Sequence, residues 1–365
     1  KEKKMKKVLI TGGAGFIGSN LAKRLIESGG YEIHAFDNLH PQVHRQPGRP
    51  DLLPDRVILH TGDVSLSSNW DTVLKLVQPE IIVHLAAETG TGQSLTESSR
   101  HGMVNVVGTT SMLDALNRNK IKPEHIILAS SRAVYGDGLW QSTDGSTFYA
   151  GNRSHEMLEN KQWDYNGKDC QTAKALPSRA DTTEPRPTNI YAATKLAQEH
   201  ICRAWTTAFS VPFTVLRFQN VYGPGQSLEN SYTGIVALFS RLSNEGKPID
   251  VYEDGQIIRD FVYVDDVAQS LEKSILSPPK VAEERALDIG CGVPCTVLEV
   301  AQKLSQLASA PEPQISGKFR DGDVRAASCD ITLSTQTIGY TPEWPLERGL
   351  KSLLDWVSET NNQVG

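Results

Sequence analysis

Thr11-Gly-Gly-Ala-Gly-Phe-Ile-Gly18 follows the apolar run Val8-Leu9-Ile10 and leads into Ser19-Asn-Leu-Ala-Lys-Arg-Leu-Ile26, where Leu21, Leu25 and Ile26 recur at helical spacing. The pattern predicts a strand, a glycine turn and a helix. Gly12 and Gly13 permit a tight turn, Gly15 lets a pyrophosphate approach the backbone, and Gly18 lets the helix lie close to the sheet. The helix that follows offers free N–H groups at its N-terminus, which suit phosphates. A second strand, Glu32-Ile-His-Ala-Phe36, ends at Asp37, followed by Asn38. An acid about 20 residues beyond such a turn is placed for an adenosine ribose, and it repels a 2′-phosphate. The expected cofactor is therefore NAD.

Working outward, Val57-Ile-Leu-His60 reads as a third strand, with Asp63 and Val64 after it where an adenine edge would lie. Ile81-Ile-Val-His-Leu85 is a continuous apolar run suited to a central parallel strand. It ends in Ala86-Ala87, small enough for a cofactor to lie across the strand tip, and His84 within it reads as a satisfied core histidine. The small polar residues Glu88 to Leu95, including Thr89, Gln93 and Ser94, fall at a strand's carboxyl end, where ligands bind in open α/β sheets. A helix carrying Met103, Val104, Val107, Met112, Leu113 and Leu116 follows, then a fifth strand, His125 to Ala129, running into Ser130-Ser-Arg-Ala-Val-Tyr-Gly136. Phe213 to Arg217 is a sixth strand and Ala286 to Ile289 another. This alternation predicts a doubly wound parallel α/β sheet of the Rossmann kind.

Two regions break the pattern. Residues 138–184 show weak apolar periodicity and too much length for a routine connection, so they read as an insertion with no derivable chemistry. After Gly223-Pro-Gly225 the periodicity shortens into pieces: a helix near 234–242, a strand at 249–252, the run 259–264 leading to a helix through Leu276, and a last helix over 350–357. The expected division is a cofactor domain of residues 1–219 and 259–290, and a smaller discontinuous α/β lobe of residues 220–258 and 291–365, with substrate between them.

Composition sets limits. The chain has 365 residues and a net charge of -6, which gives no electrostatic reason to expect nucleic acid. No apolar run is long enough to span a bilayer. The start, Lys1 to Lys7, reads as a solvated tail in which Met5 is a natural start, and it lacks the apolar core of a signal peptide. Five scattered cysteines are not a disulfide framework, and no second Cys or His pair stands near Cys291 and Cys295 to complete a metal site. Reduced thiols and a cytoplasmic location are the expectation.

Tyr191 and Lys195 stand four apart at a helix start and so share a face. An ammonium near a phenol favours the phenolate. Alone the pair is a weak signal; its weight comes from following a dinucleotide turn and a Ser-rich strand end. With Thr11 to Gly18, Asp37, Asp63-Val64, His84 to Ala87, Ser130 to Gly136, Asn220-Val-Tyr-Gly-Pro224, Arg259-Asp-Phe-Val262 and Arg320-Asp-Gly-Asp323, the chain resembles the extended short-chain dehydrogenase/reductase family in its nucleotide-sugar epimerase and dehydratase branch. The resemblance implies roles. Tyr191 is the general base and acid, Lys195 holds the nicotinamide ribose and depresses the Tyr191 pKa, and Ser131 bonds the reacting oxygen. Gly12, Gly15, Phe16, Ile17, Gly18, Asp37, Asn38, Asp63, Val64, Leu85, Ala86 and Ala87 contact NAD. Asn220, Arg259 and Arg320 grip a nucleoside diphosphate and Asp323 lies near its ribose, while Thr89, Gln93, Ser94 and Arg132 face the sugar.

Dehydratases of that branch carry Asp-Glu directly after the catalytic Ser or Thr, and related decarboxylases carry a glutamate at the second of these places. Here the two are Arg132 and Ala133, and neither moves a proton in this role. Epimerisation at carbon 4 remains, and the runs at 86–94, 130–136 and 223–228 resemble most those of dTDP-L-rhamnose 4-epimerases. A 4-ketoreductase or dehydrogenase is the alternative, and a non-catalytic NAD-binding regulator is a third. By analogy the helices over 103–116 and 191–205 pair with those of a second copy, so a homodimer is expected.

Overall fold

The computed structural model describes residues 4–44, 48–168, 170–228 and 234–364. Residues 1–3 of the expected N-terminal tail lie outside them. Seven strands form one parallel sheet: β1 (Lys6–Thr11), β2 (Tyr31–Asp37), β3 (Ile58–Thr61), β4 (Ile81–His84), β5 (His125–Ser131), β6 (Phe213–Phe218) and β7 (Ala286–Ile289). Their order is β7-β6-β5-β4-β1-β2-β3, so the winding reverses between β1 and β4. Ligands sit at such a reversal, outside the carboxyl ends of the strands.

Successive side chains leave a strand on opposite faces, and both faces of this sheet are covered. Val8 and Ile10 pack with Leu21 and Leu25 of the helix Phe16–Ser28 and with Val267 and Leu271 of the helix Val264–Leu276. Leu9 points the other way, into Phe36, Trp70, Leu74, Met112 and Leu116. The expected helix over 103–116 is observed as the helix Gly108–Arg118 preceded by a π-helical turn, Gly102–Val107. That turn presents buried Asn105, which accepts the Glu88 N–H at 2.8 Å and donates to the Glu88 carbonyl at 3.0 Å and the Thr194 hydroxyl at 2.9 Å.

A separate core gathers Val236, Phe239, Val251, Phe261, Tyr263, Val300, Leu304, Leu353 and Val357. One of its helices, Val297–Ala308, escaped the sequence reading although Thr296 and Glu299 form a capping box and Val297, Val300, Ala301 and Leu304 repeat at helical spacing. The run before the helix Val264–Leu276 holds two short strands, Ile258–Arg259 and Phe261–Tyr263, in different sheets, with Asp260 at the break. The first pairs with Ala326–Ala327, the second with Asn220–Tyr222.

Residues 138–184 are more ordered than their periodicity suggests. Leu139–Gln141, Thr147–Tyr149 and Lys174–Ala175 form a three-stranded antiparallel sheet, with a short helix, His155–Glu159. Strands of two or three residues are too short to show a period of two. Trp140 packs edge-on against Tyr165 at 4.9 Å. Arg153 anchors the segment by a buried bidentate pair with Glu253, 2.8 Å on each side. No helix among the described residues is long and apolar enough to cross a membrane.

Candidate active site

The glycine turn is shaped by contacts that leave no room for a side chain. A Cβ on Gly13 would stand 2.5 Å from the Ile10 carbonyl oxygen and 2.7 Å from the Ala35 Cβ. One on Gly18 would stand 2.6 Å from the Gly13 Cα. Gly12 has φ +63°, the left-handed region, and its own Cβ would meet the Ala86 backbone at 3.0 Å. Gly13→Ala is therefore expected to destabilise the fold by about 1–3 kcal/mol through overpacking against backbone, and to release bound cofactor. Urea unfolding, with absorbance of the purified protein for retained nucleotide, checks both; an unchanged midpoint would remove the close-packing account.

A cleft of about 350 Å³ opens over this turn. Gly12, Gly15, Phe16, Ile17, Gly18, Asp37, Asn38, Val64, Leu85, Ala86, Ala87 and Thr89 line it. Asp63 stands behind, accepting from the Asn38 amide at 3.2 Å. The Asp37 carboxylate accepts the Ala14 N–H at 3.1 Å and the Leu39 N–H at 2.9 Å, with His44 at 3.6 Å. The glycine cradle, the strand-tip alanines and this anchored acid fit a dinucleotide. Gln93 and Ser94 are buried, Gln93 accepting from the cleft-lining Gln42 at 3.1 Å and donating to Glu97 at 3.0 Å, and Ser94 donating to the Thr91 carbonyl at 2.7 Å.

Tyr191 is the second residue of the helix Ile190–Ala208, whose first turn is capped by Asn189 accepting the Ala192 N–H at 2.8 Å. Burial raises the Tyr191 pKa; a hydrogen bond with Ser131 and the charge of Arg132 pull it back. Lys195 is 3% exposed and donates to the Ala129 carbonyl at 2.7 Å and to Gln198 Oε1 at 2.9 Å. Burial brings its pKa down to about 8, against the opposing charge of Glu199. Lys195 lies one helical turn beyond Tyr191, as its spacing implies.

Behind Lys195 runs a buried chain whose directions follow from proton counting. Gln198 Nε2 donates to the Thr109 hydroxyl at 2.8 Å, and Thr109 donates to the Asn105 carbonyl at 2.6 Å. Having spent its proton, Thr109 accepts from His84 Nε2 at 3.1 Å, so His84 Nδ1 is the acceptor for the Thr11 hydroxyl at 2.7 Å. Thr11 Oγ1 in turn accepts the N–H groups of Leu85 and Ala86, each at 3.1 Å. His84 is the satisfied core residue expected, neutral and held to a pKa of about 3 by burial, with the Lys195 charge adding to the effect.

That pKa carries a pH consequence. The folded value lies below the ordinary one, so the unfolded chain binds an extra proton between about 6.5 and about 3, and stability falls as pH drops through that window. Between pH 7 and pH 4.5 the loss from His84 alone is expected at about 2–3 kcal/mol. Urea unfolding of the wild type and of His84→Gln at both pH values measures it. Equal pH dependence in the two proteins would exclude His84 as the cause.

Arg259 is buried and donates to the carbonyls of Ile258 at 2.7 Å and Val324 at 2.8 Å, with burial, and secondarily Arg132, bringing its pKa to about 10. The Arg320 guanidinium lies over the Tyr252 ring at 5.2 Å, and the Asp323 carbonyl accepts from Arg153 at 2.9 Å. Several buried polar atoms here have no partner among the described residues: Arg132 Nη1, Thr188 Oγ1, both amide atoms of Gln219, and Asn220 Oδ1. Gln219 and Thr188 were absent from the sequence reading. Gln219 precedes Asn220 at the β6 exit, a position that could have flagged it.

A family model, the NAD dependent epimerase/dehydratase family, matches residues 8–155 and 167–290. The chain belongs to that family. It is 52% identical over 354 residues to the dTDP-L-rhamnose 4-epimerase of Burkholderia thailandensis, covering 97% of this chain and 95% of that one. The crystal structure of UDP-glucose 4-epimerase from Thermotoga maritima with UDP-glucose, 26% identical, superposes with a TM-score of 0.79 over 97% of this chain and 99% of that one. UDP-glucuronic acid 4-epimerase from Bacillus cereus, in complex with UDP-glucuronic acid and NAD, is 23% identical and shares the fold, with a TM-score of 0.76 over 97% and 99%. As in the family, NAD is the cofactor, and the glycine cleft is where this chain would hold it.

Proposed function

We propose that this chain is a nucleotide-sugar 4-epimerase acting on dTDP-L-rhamnose or a closely related dTDP- or UDP-hexose. The observation that carries the reading is that Ser131, at the end of the strand paired with the one leading into the cleft-lining residues Leu85 to Ala87, bonds Tyr191, with Lys195 one helical turn on and bonded to Ala129 of the Ser131 strand. The 52% identity to a dTDP-L-rhamnose 4-epimerase supports the choice of sugar.

Tyr191 takes the 4-hydroxyl proton and later returns it, with Ser131 bonded to the same oxygen. Bound NAD supplies reversible hydride chemistry at carbon 4. Lys195, fixed by Ala129 and Gln198, orients the nicotinamide ribose. Asn220, Arg259, Arg320 and Asp323 hold the nucleoside diphosphate while the 4-keto sugar turns over, and that remote binding energy keeps the reactive sugar in place. Guanidinium groups suit this duty because they pair bidentately with phosphate oxygens. Arg132 and Ala133 supply no carboxyl for elimination or decarboxylation.

The protein works in the cytoplasm, consistent with its five free cysteines. It acts as a homodimer through the helices around 102–118 and 190–208, where Met103 and Val107 remain exposed. A light-scattering mass equal to one chain would exclude the dimer.

Proton NMR in heavy water tests the activity. The purified protein is offered dTDP-L-rhamnose, UDP-glucose or UDP-N-acetylglucosamine with no cofactor added. A 4-epimer carrying no solvent deuterium is the expected product. Conversion only of a keto-sugar, and only with added NAD(P)H, would replace this reading with a ketoreductase.

A further inference from the structure

The insertion over 138–184 closes on one turn of the smaller lobe, the turn that carries Arg320 and Asp323. Residues 316–325 run between the strands Gln314–Ile315 and Ala326–Ala327 with no helix or strand of their own. Across 319–323 the backbone supplies one hydrogen bond among the described residues, from the Asp323 N–H to the Arg320 carbonyl at 3.3 Å. Gly322 permits the turn with φ +80°. A loop held so lightly opens easily unless side chains fix it.

The insertion supplies them from one stretch, residues 153–164. The rings of His155 and Trp163 pack against Phe319, with centroids at 5.5 and 6.3 Å. His155 Nδ1 donates to the Asp321 carboxylate, at 2.9 and 3.0 Å from its two oxygens. The Arg153 guanidinium donates to the Asp323 carbonyl at 2.9 Å and to the Trp163 carbonyl at 3.2 Å. Beyond the turn, Asp164 accepts from Arg325 Nε at 2.7 Å. The platform under Arg320 is tied in as well. Tyr252, whose ring faces the Arg320 guanidinium, directly precedes Glu253, and Arg153 pairs with both Glu253 oxygens.

These contacts fall before the turn, within it and after it, and all arise from one short stretch of chain. Stability alone does not explain them. His155 and Asp321 are 60% and 62% exposed at their side chains, and exposed pairs contribute little to folding. What they restrict is the shape of the turn.

We propose that residues 153–164 are a positioning element for the nucleoside diphosphate, with His155 and Trp163 acting through Phe319 and Asp321 to hold Arg320 and Asp323 ready to grip it. This rests on the reading of Arg320 and Asp323 as nucleotide contacts. It gives the insertion a role in binding and none in proton or hydride transfer. A binding-competent shape that is only partly populated weakens binding by that fraction, so fixing the turn beforehand raises affinity.

Isothermal titration of dTDP, and in parallel of UDP, into the NAD-loaded protein reads the grip without turnover. For the nucleotide that the wild type binds more tightly, His155→Ala is expected to weaken binding about threefold and Trp163→Leu about tenfold, as when the turn is competent about a third and about a tenth of the time. Asp321→Ala matches His155→Ala, and the double variant is no weaker than the weaker single one, because the two share one contact. KM for dTDP-L-rhamnose rises by the same factors while kcat and NAD content stay at wild-type values. If Trp163→Leu does not fold, Asp321→Ala takes its place in the comparison. Wild-type affinity in His155→Ala and Trp163→Leu, or a fall in kcat at unchanged KM, would overturn the proposal. So would a wild type that binds neither dTDP nor UDP. A wild type that binds one of them but epimerises no sugar removes the proposed reaction and leaves this result standing.

Discussion

Tyr191→Phe is expected to cut epimerase turnover by about 10²–10⁴-fold, the usual worth of a positioned acid or base, while NAD remains bound. The substitution removes one oxygen and keeps the ring. That oxygen is the atom bonded with Ser131 and acted on by Arg132, so its loss leaves the sugar hydroxyl with no proton acceptor in reach. The cofactor cradle lies in the glycine turn and the strand tips and is untouched. Steady-state turnover of dTDP-L-rhamnose and nucleotide absorbance of the purified variant are the two measurements. Turnover within a few-fold of wild type would remove Tyr191 from proton transfer. Loss of both turnover and NAD would point to a collapsed site.

Glu253→Gln is expected to cost about 3–5 kcal/mol of stability, the penalty for removing one partner of a buried ion pair. Glu253 is 1% exposed at its side chain and lies between two guanidiniums. Arg153 grips it bidentately, and Arg325 reaches it at 3.0 Å while also bonding Asp254 at 2.7 and 2.8 Å and Asp164 at 2.7 Å. Its backbone has φ 54°, where Gly or Asn would sit with less strain. Without that charge, the two guanidiniums face one another and the anchor of residues 138–184 is lost. Urea unfolding measures the cost; a change below about 1 kcal/mol would show that the network contributes nothing net. Arg153 also donates to the Asp323 carbonyl, so a raised KM for the nucleotide sugar accompanies the loss.

Neither residue of that anchor was visible as such beforehand. Arg153 and Glu253 are 100 positions apart, and a pair at that separation leaves no periodic trace. The same holds for the chain from Thr11 through His84, Thr109 and Gln198 to Lys195, which joins two strands and two helices. Gln93 and Ser94 add a third case: the short helix Thr91–Thr96 places both in internal hydrogen bonds, Gln93 with Gln42 51 positions away, a link that composition does not reveal.

What the sequence by itself determined was the cofactor half of the protein. Alternating strands and helices, glycines at a turn that tolerates no Cβ, and an acid at the second strand's end are local signals. Local backbone sterics and burial enforce them within about 30 residues of chain. The spacing of Tyr191 and Lys195 was equally legible, because four residues along a helix fixes a shared face. What surrounds the phenol and the ammonium was decided only by tertiary structure. The turn Arg132–Tyr135, 59 positions before Tyr191 at its start, packs against the helix of Tyr191, and the Ala129 carbonyl and Gln198 accept from the Lys195 ammonium. Electrostatic influence depends on distance through space and on burial, and neither quantity is written in the order of residues.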